Sequence, residues 1–130
     1  MKILVFLKNA FRKKTLTDTQ KRSSKGDIIT DDSLPKLVIE VKNYGEFPFH
    51  QLLQGKCPIL EGWIEQHMIA IDDGDVWFVC FKISRKGWFI CYDKKLNLQV
   101  DSYAAFKSYI VTELVPCLTN NKDLIINLCN

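Results

Sequence analysis

Apolar positions recur along this chain with two periods, and the switches between them divide it into elements. "DIIT", residues 27–30, and "LVIEVK", residues 37–42, are short and dominated by β-branched residues, which predicts strands. Only "DDSLP" separates the second strand from the first, a turn closed by Pro35, so the two read as an antiparallel hairpin. The pattern then changes to a helical one. "GEFPFHQLLQG" opens a helical region with Pro48 near a first turn, and Gly55 interrupts it. "CPILEGWIEQHMIAI" restarts it, with Pro58 suited to the first helical position. Ile59, Leu60, Trp63, Ile64, Met68 and Ile71 form one apolar face at helical spacing, and "DDGD" ends it.

Two runs dense in β-formers follow, "VWFVCFKIS" at 76–84 and "GWFICYD" at 87–93. Arg85, Lys86 and Gly87 between them predict a hairpin turn. "DSYAAFKSYIVTELVP", residues 101–116, reads as an amphipathic helix capped by Asp101 or Ser102 and ended by Pro116. "LIINL", residues 124–128, fits a short strand or a helix equally well. At the other end, Ile3, Leu4, Leu7 and Phe11 suit a helix stripe better than a strand. Residues 12–26, polar, basic and rich in Ser and Thr, read as a loop that is mobile without a ligand. Strands and helices in this order predict a single α/β domain over residues 1–130, a mixed central sheet flanked by helices.

Composition narrows the function classes. A chain of 130 residues, 47% hydrophobic and 25% charged, is an ordinary globular domain with one modest core. The run "ILVFL" is far too short to span a bilayer and no small-residue cleavage site follows it, so an intracellular, cytoplasmic protein with no membrane partner is expected. Five cysteines, an odd number with no CxxC, do not combine with His50 and His67 into a zinc-ligand spacing. Buried reduced thiols are the expected reading, well ahead of a catalytic Cys–His pair. The net charge of +3 conceals a stronger asymmetry: residues 1–25 hold eight basic side chains and one acid, Asp18, and so carry +7 against −4 for the rest. Lys13, Lys14, Lys21, Arg22 and Lys25 in that segment form either a phosphate-binding footprint or a solvated arm.

The candidate chemistry lies in the second strand. Side chains alternate along a strand, so Leu37, Ile39 and Val41 share one face and Val38, Glu40 and Lys42 the other, with Glu40 and Lys42 about 7 Å apart along it. If "DIIT" pairs beside this strand, Asp27 can reach the same spot. Two carboxylates and an ammonium meeting there suit a hard divalent cation held by oxygen ligands: Asp27, Glu40 and the Val41 carbonyl. Lys42, unable to ligate, would orient a metal-bound water or stabilise charge on a phosphate. Taken alone, ExK is equally a salt bridge on a half-exposed strand.

The wider pattern is more restrictive. "GDII" at 26–29 followed by "LVIEVK" at 37–42 resembles the PD-(D/E)xK nuclease signature. Looser similarity extends outward, through "RSSKGDI" to "ILEGWIEQ" and the 76–92 hairpin, toward Holliday junction resolvases and related phage nucleases. The resemblance covers roughly Lys21 to Tyr92. It implies a small restriction-endonuclease-like domain and a Mg²⁺-dependent DNA endonuclease, with Mn²⁺ able to substitute and no small-molecule cofactor. It also implies branched DNA as partner, four-way junctions first, a homodimer, and the host cytoplasm if the chain is viral. Asp27 and Glu40 take the places of the metal ligands and Lys42 that of the catalytic lysine. Gln66 best matches the glutamine often found on the helix after the signature, with Gln51 and Gln54 as rivals. Lys82, Arg85 and Lys86 match a basic strand-and-turn group set against DNA.

The chain departs from the family pattern at two points. Gly26 replaces the usual proline, and no glutamate precedes Glu40, where many members carry one on an N-terminal helix; Asp18 or Gln20 could stand in for it in part. Trp63, Trp77 and Trp88 are expected in the core in preference to a stacking role, and His50 at the surface in preference to a general base. The competing readings are another PD-(D/E)xK enzyme, of nicking or restriction type, and a nucleic-acid-binding module without catalysis.

Overall fold

β-Branched and aromatic runs build a sheet whose strands β1 (Asp27–Asp31), β2 (Leu34–Tyr44), β3 (Val76–Ile83) and β4 (Gly87–Asp93) follow the expected hairpins. The computed structural model describes residues 27–31 and 34–129, of which 27–31, 34 and 35 are described by backbone alone. The readings made above for residues 3–11 and 12–26 lie outside the described residues. Among the described residues the sheet has six strands in the order β1-β2-β3-β4-β6-β5. β1 pairs antiparallel with β2, and β2 pairs parallel with β3, so the sheet is mixed. A parallel pair needs a crossover, which residues between Tyr44 and Val76 supply as a short helix α1 (His50–Leu53) and a longer one, α2 (Pro58–Met68). Pro58 occupies the first turn of α2, and Gly55, at φ +75°, separates the two helices. The α2 face is narrower than the spacing implied: Leu60, Ile64 and His67 are buried, whereas Ile59, Trp63 and Met68 are partly so and Ile71 lies past the helix end.

The segment 101–116 overturns the expected helix. It forms a hairpin of β5 (Ala104–Phe106) and β6 (Tyr109–Glu113), and the helix α3 begins only at Leu114 and runs to Cys129. Pro116, read as a terminator, instead lies in the first turn of α3, where a missing N–H removes no bond. Phe106, Ile110 and Leu114 mimic an i, i+4 stripe, but the β-branched run Ile110-Val111-Thr112 favours the pleated strand. "LIINL" lies within α3.

The two faces of the sheet carry separate cores. Leu37, Ile39, Phe78, Cys80, Ile90 and Tyr92 pack under α3. Trp77, Val79, Phe81, Cys91 and Val111 pack with Leu60 and Ile64 of α2. All five cysteines are buried thiols. Burial pushes Cys117 up to about 12 and Cys91 higher still, so neither is a nucleophile at neutral pH.

Candidate functional site

The strand β2 is covered on both faces, and its polar residues are therefore buried. Glu40 and Lys42 project toward α2, each about 5% exposed. Their i, i+2 spacing puts them on one face, and Glu40 Oε1 lies 3.2 Å from Lys42 Nζ. Two charges removed from water in this way are tolerated only when each compensates the other. The last turn of α2 crosses above the pair and contributes consecutive residues. Lys42 Nζ donates to Gln66 Oε1 at 3.5 Å, a long bond that leaves the ammonium with capacity for another acceptor. His67, fully buried, sets Nδ1 3.7 Å from Glu40 Oε2 and meets the Trp77 ring edge-on. Burial pushes the His67 imidazole below its ordinary range, against the opposing pull of the Glu40 carboxylate, so the ring is neutral at pH 7.

Asp27 is the first residue of β1, and the backbone register sets it opposite Val41, the residue between Glu40 and Lys42; Ile28 is the direct partner of Glu40. β1 and β2 pair as expected, but the register is offset by one residue, which sets Asp27 at a position of the Val41 face of the sheet, with Ile28 at that of the Glu40 face. Of the three candidate glutamines, Gln66 reaches Lys42, whereas Gln51 belongs to α1 and Gln54 caps its C-terminal end. Arg85 and Lys86 are exposed at the β3–β4 turn, and the Ser84 N–H bonds to the Tyr44 carbonyl, so this tip adjoins the end of β2 that carries Lys42. Lys82 is exposed beside Asn43 and Trp88, on the α3 face of the sheet and so on the side opposite Lys42. Lys13, Lys14, Lys21, Arg22 and Lys25 lie outside the described residues, as do Asp18, Gln20 and Gly26. Trp77 is buried and Trp63 and Trp88 are half-buried, in keeping with packing roles, and His50 is exposed at the start of α1.

A buried carboxylate–ammonium pair on a strand, joined by a glutamine from the crossing helix, is the arrangement around which the family match falls. The model of the family described as "Phage putative PDDEXK endonuclease" matches residues 8–126. The chain belongs to this family of phage-type PD-(D/E)xK nucleases. No curated protein and no solved structure matches the chain. As a PD-(D/E)xK nuclease it is an endonuclease, a hydrolase of phosphodiester bonds whose partner is nucleic acid, and its mixed sheet flanked by helices is the restriction-endonuclease-like domain. Among the described residues, no helix is long and apolar enough to cross a membrane.

Nucleases of this superfamily typically use divalent metals. Among the described residues no three His, Cys, Asp or Glu side chains gather as a metal site, and Asp27 is described only by its backbone. One observation does fit an ion: among the described residues, Glu40 Oε2 is buried without a close hydrogen-bond partner, as are both ring nitrogens of His67. A buried carboxylate oxygen left unpaired is costly, and a cation would satisfy it. His67 escaped the sequence reading, which weighed it only for zinc. The signal was present, since His67 continues the buried stripe Leu60–Ile64 of α2 at i+7 and a polar residue there has to meet something.

Proposed function

We propose that this nuclease is a Mg²⁺-dependent, structure-selective DNA endonuclease that cuts four-way junctions, with Mn²⁺ able to replace Mg²⁺. The observation that carries the reading is the buried Glu40–Lys42 pair, with one carboxylate oxygen of Glu40 unpaired and Gln66 reaching the ammonium. Asp27, Glu40 and the Val41 carbonyl would hold the ion, which when bound activates a water and offsets charge on the phosphate. The chain's own groups do the rest. Glu40 holds Lys42 in place, and Gln66 limits the directions in which Nζ can swing. That leaves an ammonium proton free to bind a phosphate oxygen or to orient the attacking water. Arg85 and Lys86 at the tip beyond Tyr44 would grip the DNA backbone, joined by Lys82 from the other face and by Lys13, Lys14, Lys21, Arg22 and Lys25. A four-way junction presents two symmetric cut sites, which favours a homodimer acting in the host cytoplasm.

The deciding experiment offers pure protein junction, flap and linear duplex DNA with Mg²⁺ or Mn²⁺. Preferential cutting of the junction, by a protein that sediments as a dimer, is the expected result. Equal cutting of all three would leave a nuclease of nicking or restriction type. Failure to cut any DNA with either ion overturns the enzyme reading and favours a binding module.

A further inference from the structure

Among the described residues, three buried side-chain atoms lack a close hydrogen-bond partner, and they are neighbours. Glu40 Oε2 faces His67 Nδ1 at 3.7 Å, and the other His67 nitrogen is also unpaired. In a core this arrangement is disfavoured, because apolar residues of the same shape would stabilise the fold better. The imidazole cannot turn to water, being fully buried against Trp77 with Leu60 and Ile64 on the same stripe of α2. Among the described residues two acceptors lie within its reach, the Val38 carbonyl and the Glu40 carboxylate, and it is Glu40 Oε2 that faces Nδ1. Oε1 of that carboxylate is already taken by Lys42, so the two oxygens are addressed from different sides.

We propose that His67 is a positioning residue for Glu40. Its Nδ1–H donates to Oε2, closing the 3.7 Å separation by less than an ångström, and together with Lys42 on Oε1 it fixes the plane of the carboxylate. Carboxylates that bind metals are commonly held this way, and loss of such a support typically weakens metal binding by about 10–100-fold. The role rests on the reading of Glu40 as a metal ligand. It assigns α2 two tasks through consecutive residues: Gln66 restrains the lysine and His67 aims the carboxylate.

The test measures Mn²⁺ binding by calorimetry and thermal melting, with DNA cleavage alongside, for wild type, Glu40→Gln, His67→Leu, His67→Asn and His67→Gln. His67→Leu should weaken Mn²⁺ by about 10–100-fold and lower kcat with little change in KM for DNA. Its melting temperature should change little, since removal of a buried polar ring is set against loss of the donor that faces Glu40 Oε2. His67→Asn, whose amide nitrogen falls near the Nδ1 position, should restore binding to within a few-fold, and His67→Gln, whose donor falls near Nε2, should not. A merely structural His67 would move the melting temperature and leave Mn²⁺ affinity alone. Wild-type Mn²⁺ affinity in His67→Leu, or equal loss in the Asn and Gln variants, overturns the proposal. If His67→Leu does not fold, the contrast between Asn and Gln decides. Loss of Mn²⁺ binding in Glu40→Gln but not in His67→Leu sinks this inference alone, whereas unchanged binding in Glu40→Gln sinks the metal reading beneath it as well.

Discussion

Two groups of buried polar side chains lie under the two helices that cover the sheet, and they are built in opposite ways. Under α3, Asn121 accepts from the Gln99 N–H at 2.7 Å and donates to the Gln99 carbonyl at 2.8 Å and to the Cys117 carbonyl at 2.7 Å. It thereby mimics a strand partner for Gln99 and ties the 94–103 crossing to the helix. Under α2, the Glu40–Lys42–Gln66–His67 group is held at 3.2, 3.5 and 3.7 Å, and three of its atoms have no close hydrogen-bond partner among the described residues. A closed, short network holds a fold together, and an open one keeps lone pairs and protons for something that is not part of the chain. Burial alone does not separate the two; satisfaction does.

The largest effect should come from the open group. Asp27→Asn is expected to lower DNA cutting by more than ~10³-fold while sparing or tightening DNA binding, because a negative charge is removed where phosphates approach. Cleavage and gel-shift assays on the same junction check both halves. Retained cutting would place the metal elsewhere, and the one-residue offset of Asp27 from Glu40 in the register makes this the sharpest single substitution.

Asn121→Ala should do the reverse. It leaves the Gln99 N–H and carbonyl without their side-chain partner, while Cys117 keeps its intrahelical bond. The loss costs on the order of 2 kcal/mol and roughly 7 °C in melting temperature. Cutting measured well below that melting point should remain near wild type. A variant that kept its stability but lost activity would break the contrast between the two groups. Gln66→Ala comes next. Its side chain is largely exposed, so the melting temperature should hardly move, while release of Lys42 should lower cleavage by about 10–100-fold.

How much of this was legible in the chain depended on the range over which each signal acts. Glu40 and Lys42 were readable because i, i+2 on a strand is a local rule, and the β1–β2 hairpin because its turn is short. His67 was readable only in part: its place on the Leu60–Ile64 stripe marked it as buried, but its partner is 27 residues upstream on another element. The β5–β6 hairpin was misread for a different reason. Its turn is Lys107-Ser108, with Lys107 at φ +55°, a position where Gly or Asn would have announced a turn. Tertiary contacts offset that strain: the Lys107 ammonium pairs with Glu61 of α2 and lies 5.6 Å from the centre of the Phe106 ring.

The basic hairpin tip should give a smaller, graded effect. Arg85→Ala with Lys86→Ala is expected to reduce the slope of log affinity against log salt by roughly one unit per lost phosphate contact. Neutralising Lys13, Lys14, Lys21 and Arg22 should reduce it further, and an unchanged slope in either set removes that set from the DNA interface.

The smallest effect tests whether the β5–β6 turn depends on its ion pair. The hydrogen bond from Lys107 holds the Glu61 carboxyl below its ordinary value of 4.5, and the second oxygen of Glu61 accepts the Cys57 N–H at 3.1 Å at the start of α2. A carboxyl whose pKa falls on folding binds fewer protons folded than unfolded near that pH. Its contribution is therefore complete above pH 4.5 and fades as pH falls through the lower folded value. Glu61→Gln should lower the melting temperature slightly at pH 7, and the difference from wild type should shrink as the pH is taken below 4.5. High salt at pH 7 should shrink it too, because the pair is exposed and screened. A melting temperature equal to wild type at pH 7 would leave only the Cys57 bond, which a glutamine keeps, and the turn would then owe its left-handed Lys107 to packing against Phe106.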